Sequence, residues 1–135
     1  MTVRAYVPLT SSQLAELVAE RRLAAPLPAH AVTEALRAHW PDGDEEEWEY
    51  AAMAAAADTS WRARGAADRP RRHVLAVDVD GVRTVDSDDV TAVELTHDVV
   101  WRNVASAHVD TADRAADPGD EDLAWFATQE IPNLV

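Results

Sequence analysis

No cysteine and no lysine occur among the 135 residues, glycine appears four times, and the aromatics number eight. Each scarcity closes a set of mechanisms. Without cysteine the chain forms no disulfide, no thiolate zinc centre and no cysteine nucleophile. The glycines at 43, 65, 81 and 119 stand isolated, so the glycine-rich loops that cradle phosphates in P-loop and Rossmann sites are missing. Positive charge is scarce as well: 12 basic residues, all arginine, face 25 acids for a formal net charge of −13. That balance repels a phosphate backbone and argues against a nucleic-acid partner. Long apolar runs are lacking too. The first residues show no basic segment leading into an apolar one, and no stretch approaches the ~20 apolar residues of a membrane span, so the reading is a cytoplasmic protein with no membrane partner.

What is present is alanine, 27 residues of it, within an apolar fraction of 47% and a charged fraction of 27%. Together with the absence of lysine, this reads as the mark of a GC-rich coding genome rather than of a chemistry. The proportions are globular, and the length suits a single domain over residues 1–135 with a core of small side chains.

Val3, Ala5 and Val7 alternate with Arg4 and Tyr6 ahead of Pro8, which predicts a strand over 3–7. Thr10 to Gln13 has capping-box spacing, and Leu14, Leu17 and Val18 follow at helical intervals, predicting a helix from Ser11 to Leu23 that Pro26 and Pro28 stop. Ala29 to Val32 reads as a brief strand, and Thr33 caps a short helix carrying Leu36 and Trp40. Asp44 with Glu47 is a second capping pair at the head of a longer helix reaching Arg64. Acids crowd its start and Arg62 and Arg64 its end, as the helix dipole favours. The uncharged run from Tyr50 to Ala57 makes its middle apolar on every face, and such a helix needs cover on more than one side.

After an arginine-rich connector over 65–72, His73 to Val79 reads as a strand. Asp80-Gly81 then signals a tight hairpin into a strand over Val82–Val85. Thr91 to Thr96 and Val104 to Val109 add two more strands, Asp110 to Asp122 reads as a mobile surface segment, and Leu123, Phe126 and Ala127 mark a last helix ending near Pro132. These elements predict an α+β fold: an antiparallel or mixed sheet, with strands near 3–7, 73–79, 82–85, 91–96 and 104–109, covered by helices around an alanine-rich central one.

Four stretches carry a resemblance: Tyr6-Val7-Pro8-Leu9-Thr10, Ala29-His30-Ala31-Val32-Thr33, Asp44 to Glu47 leading into Glu49-Tyr50-Ala51-Ala52-Met53, and Trp125 to Glu130. With them the chain resembles a group of small acidic actinobacterial proteins of uncharacterised function. The resemblance spans most of the chain and implies a bacterial cytoplasmic origin and a single domain. It supplies no activity, ligand or catalytic residue.

Catalytic chemistry finds little footing in the sequence. The histidines at 30, 39, 73, 97 and 108 fall on different elements, and His108 with Asp110, two apart on one strand, lacks further ligands, so no metal or other cofactor is assigned. No serine stands in a nucleophile elbow. The candidate residues therefore belong to binding: Glu45, Glu46 and Glu49 as an acidic docking surface, Trp48 and Tyr50 as aromatic anchors, and Arg62 and Arg64 as basic partners at the other end of the helix. The function this points to is a non-enzymatic interaction or regulatory protein that self-associates or binds another protein. In a two-fold dimer with central helices antiparallel, the three glutamates of one copy would meet the arginines of the other. The alternative is a small enzyme or ligand-binding domain with a pocket between sheet and central helix, using His30, Tyr50 and Arg72.

Overall fold

In the computed structural model, which describes residues 2–135, the alternating start of the chain becomes the middle of the sheet. Strand β1 (Val3–Leu9) runs two residues beyond its expected end, through Pro8. It is bordered by β3 (Leu27–Ala31) on one side and β4 (His73–Val79) on the other. Outward from β3 come β6 (Ala92–Leu95) and the two-residue β5 (Arg83–Thr84). Outward from β4 come β8 (Val104–Val109) and β9 (Ala124–Ala127). The seven strands lie in the order β5-β6-β3-β1-β4-β8-β9, every pairing antiparallel. A separate two-stranded ribbon joins β2 (Arg22–Leu23) to β7 (Val99–Val100). The α+β class and the antiparallel sheet stand; β3, expected only as a brief strand over 29–32, joins the sheet, and β9, not expected as a strand, brings it to seven.

Three expectations are overturned. Helix α1 (Ser11–Glu20) begins at the expected box, where the Thr10 hydroxyl accepts the Gln13 N–H at 3.3 Å and Gln13 accepts the Thr10 N–H at 2.9 Å. It stops three residues early because Arg21 turns left-handed at φ 59°, stacks 4.3 Å over the Trp101 ring and sends the chain into β2. Asp80-Gly81 makes no hairpin. Both edges of β4 are already taken by β1 and β8, so the following residues cross to β6 instead. The last helix is absent: Leu123 to Ala127 is too short to separate a helical from a strand period, and Ser106 to Val109 of β8 offers an open edge that Ala124 to Ala127 fills. A 3-10 segment, Thr128–Leu134, with Pro132 inside it, follows.

Side-chain alternation assigns the two faces. On one, Val7, Leu9, Leu75 and Val77 meet Leu14 and Leu17 of α1 and Ile131 of the 3-10 segment. On the other, Tyr6, Val74 and Ala76 meet the long helix α3 (Glu45–Arg62) through Ala52, Ala56 and Ala57. The expected Asp44–Glu47 box starts α3, and the short α2 (Glu34–His39), capped by Thr33, precedes it. Alanine gives α3 a close approach to the sheet, which brings polar side chains within reach. The Ser60 hydroxyl, fully buried, donates to the Leu9 carbonyl at 2.6 Å and accepts the His73 N–H at 2.8 Å. His30 is held between Thr59 on α3 at 2.9 Å and Thr91 at 2.8 Å. No described helix is long and apolar enough to cross a membrane.

Candidate functional site

The uncharged run of α3 divides unevenly. Tyr50 and Ala54 are exposed, Ala52, Ala56 and Ala57 are buried, and Ala51, Met53 and Ala55 lie between. The sheet therefore covers the face that mattered most, and the run on its own does not require a second chain.

One flank of α3 carries two hollows that meet at Tyr50 and Met53. The first, of about 340 Å³, is lined by Tyr6, Glu45, Glu46, Glu49, Tyr50 and Met53. In the second, of about 490 Å³, the helix faces the loop over 117–123: Met53, Ala57 and Leu123 give it an apolar floor, while Asp58, Asp117, Asp120, Glu121 and Asp122 rim it. The Tyr50 hydroxyl crosses from helix to loop and donates to Asp122 at 3.2 Å. The charge of Asp122 and this bond raise the phenol above its usual range. Tyr6 donates to Glu49 at the floor of the first hollow, and burial, then that bond, push its ionisation higher still. Both tyrosines thus stay neutral at neutral pH, each donating to a carboxylate of a groove lined mainly by acids.

The loop holds its place through a pair the sequence reading missed. Arg72 and Asp110 are both 3% exposed. The Arg72 guanidinium donates to Asp110 at 3.0 and 2.9 Å, its backbone N–H donates at 2.8 Å, and Arg114 adds a bond at 3.2 Å. Burial alone would push the Asp110 carboxyl up; the side-chain and backbone bonds from Arg72, with the charges of Arg72 and Arg114, outweigh it and hold it below the ordinary range. Arg72 reaches on to the Gly119 carbonyl at 3.4 Å, and Arg114 donates to Glu121 at 2.6 Å. Asp110 therefore anchors the segment rather than opening a loose one. The signal for it lay in register: His73 pairs with Val109 across β4 and β8, which sets Arg72 beside Asp110.

Of the seven binding residues read from the sequence, Glu45, Glu46, Glu49 and Tyr50 come together in this groove. Trp48 lies on the other flank, its indole N–H donating to the Trp40 carbonyl at 3.0 Å and its ring under the Arg37 guanidinium. A Cβ on Gly43 would come within 2.7 Å of that indole nitrogen, so glycine is required there for the close approach. Arg62 pairs with Asp58 at 2.7 Å, and Arg64 lies 3.5 Å over the Trp61 ring. By helical rise both arginines stand roughly 25 Å from Glu45. Of the alternative trio, Tyr50 and Arg72 line the second hollow, whereas His30 is an interior tether. His108 bonds Ser106 at 3.1 Å rather than sharing a ligand sphere with Asp110. Among the described residues no three His, Asp or Glu side chains converge on a metal position.

Fold and groove together define a small α+β protein with two acid-lined hollows beside its longest helix. The chain belongs to a family of unknown function, DUF6912, which matches residues 3–135. No curated protein and no solved structure matches it.

Proposed function

We propose that the protein is a non-enzymatic interaction module whose α3 groove receives a basic, partly apolar segment of a partner protein. The observation that carries this reading is the combination of an apolar floor at Met53, Ala57 and Leu123 with acids on both rims. An apolar floor without the acids would fit any hydrophobic segment, and acids without the floor would be a solvated surface. The two together suit alternating arginine or lysine and aliphatic side chains, the cations gaining rate and orientation and the aliphatics gaining burial. The same chemistry is available on a second copy of the chain, whose Arg64 and Arg69 are exposed or half-exposed beside apolar residues, so self-association is one outcome of the test.

The test is fluorescence anisotropy with labelled peptides of three kinds: basic with leucine, basic without apolar residues, and acidic. The first kind binds, weakens as salt rises through the range that screens surface charge, and loses at least tenfold affinity when Glu46→Arg and Asp120→Arg are combined. Failure of every basic peptide to bind, or binding indifferent to those substitutions, refutes the reading. Sedimentation of the unliganded protein across micromolar concentrations reports whether a second copy fills the groove.

A further inference from the structure

On the opposite side of the sheet, a cavity of about 510 Å³ opens between the first turn of α1, the connector over 65–72 and the last residues of the chain. In a chain of net charge −13 its walls bring two cations together, Arg69 and Arg71, beside one buried side-chain carboxylate, Asp110. Arg71 is held by Asp113 at 2.7 Å. Arg69 has no carboxylate within ion-pair distance among the described residues. Behind them His73 lines the cavity at 4% exposure, and its Nδ1 is buried with no hydrogen-bond partner. Buried polar atoms are almost always paired. An orphaned imidazole nitrogen beside two guanidiniums is the arrangement an oxyanion would complete.

The acids nearby are already satisfied. Asp68 takes the start of α1, where hydrogen bonds from the Ser12 hydroxyl, the Gly65 and Ser12 N–H groups and the Ser11 hydroxyl hold its carboxyl at about 2. That anchorage fixes the course of the connector, and the Arg69 N–H is tied to the Ser11 hydroxyl at 2.9 Å. Asp110 is saturated by Arg72 and Arg114. Leu14 and Val109 supply an apolar wall next to the cations.

We propose that this cavity binds a small organic anion, its carboxylate or phosphate held by Arg69, Arg71 and the His73 imidazole and its carbon skeleton laid against Leu14 and Val109. The site is independent of the α3 groove and lies across the sheet from it.

Phenyl phosphate and benzoate are suitable probes, titrated into the intact protein by calorimetry and followed by the nitrogen resonances of the His73 ring. At least one of them binds saturably at one per chain, moves the His73 signals, and binds at least tenfold more weakly to Arg69→Ala. Arg69 is exposed, so that variant keeps the wild-type circular dichroism and unfolding midpoint. Glu46→Arg in the groove leaves this affinity unchanged, which separates the two sites. No saturable binding of either probe at millimolar concentration overturns the proposal, as does binding that Arg69→Ala leaves intact or that leaves the His73 resonances unmoved.

Discussion

The two faces of the sheet are held by different means. Against α1 the contacts are large aliphatics, with Leu9, Leu14, Leu17, Leu75 and Ile131 all fully or almost fully buried. Against α3 they are alanines and β-carbons, with Ser60, His30 and Tyr6 making specific bonds through the gap. Burial of aliphatic area is non-directional and tolerates repacking. A close alanine contact buries less, so the α3 side depends on a few polar bonds whose loss leaves buried groups unpaired. The same economy makes the groove, because a helix set close to the sheet by alanines leaves its flank open to the 117–123 loop.

The largest expected effect comes from the tie that joins the two sides. Asp110 lies against the cavity on the α1 side, and its partner Arg72 lines the groove on the α3 side. Asp110→Ala leaves a buried guanidinium without its carboxylate, which costs about 3–5 kcal/mol. Urea unfolding measures it. A replacement of both partners by apolar residues, Arg72→Met with Asp110→Leu, recovers much of that loss if the penalty is the unpaired charge. An equal loss in the double variant would show that the bonds to Gly119 and Arg114 carry the weight.

Next come two deletions that set the faces against each other. Leu75→Ala on the α1 side removes three buried carbons and costs about 3 kcal/mol. Ser60→Ala on the α3 side removes one oxygen, yet it strands the Leu9 carbonyl and the His73 N–H and costs about 2 kcal/mol. Unfolding midpoints with matched slopes decide it. A Ser60→Ala protein as stable as the wild type would mean that α3 is held by its alanines alone.

Much of this architecture was legible because local rules decided it. The caps at Thr10, Thr33 and Asp44 and the strands His73–Val79 and Val104–Val109 follow from hydrogen-bonding side chains and alternation within a few residues. Half of the groove was legible for the same reason: Glu45, Glu46, Glu49 and Tyr50 share the start of one helix. Its other wall was not. Asp117 to Leu123 has no period of its own, and its position comes from Arg72 meeting Asp110 across a strand pairing of residues far apart in sequence. The segment at 124–127 failed for a related reason, since a free edge on β8 decided between two periods that four residues cannot distinguish.

A smaller effect distinguishes the faces by pH. Burial pushes His30, His73 and His108 below the ordinary histidine range, with Arg71 adding to the effect at His73 and Arg4 at His108. The unfolded chain then binds more protons than the folded one, so stability is complete above the unfolded value of about 6.5 and declines as pH falls through and below it. The carboxyls lowered by their partners act only at more acidic pH, which leaves the window from about pH 7.5 to about pH 5.5 to the histidines. Thermal unfolding across that window shows a falling midpoint. His30→Gln, which keeps an amide able to bond both Thr59 and Thr91, flattens part of the decline; an unchanged slope would assign it to the other two residues.

The smallest effect concerns a turn that sequence alone would rank high. Asp80-Gly81 between two apolar runs has the composition of a two-residue hairpin, in which glycine is needed for a left-handed backbone. In the fold, β4 spends both edges on β1 and β8, Gly81 is not among the residues of positive φ, and a Cβ built on it meets nothing within 4 Å. The physical reason for glycine is therefore gone, although the dipeptide is unchanged. Gly81→Val should alter stability by less than about 0.5 kcal/mol, as surface substitutions away from special backbone generally do. A hairpin would instead charge the full cost of forcing a β-branched residue to positive φ, about 1 kcal/mol or more. Denaturant midpoints of the two proteins tell these apart, and a loss of that size would restore the hairpin and take β5 away from β6.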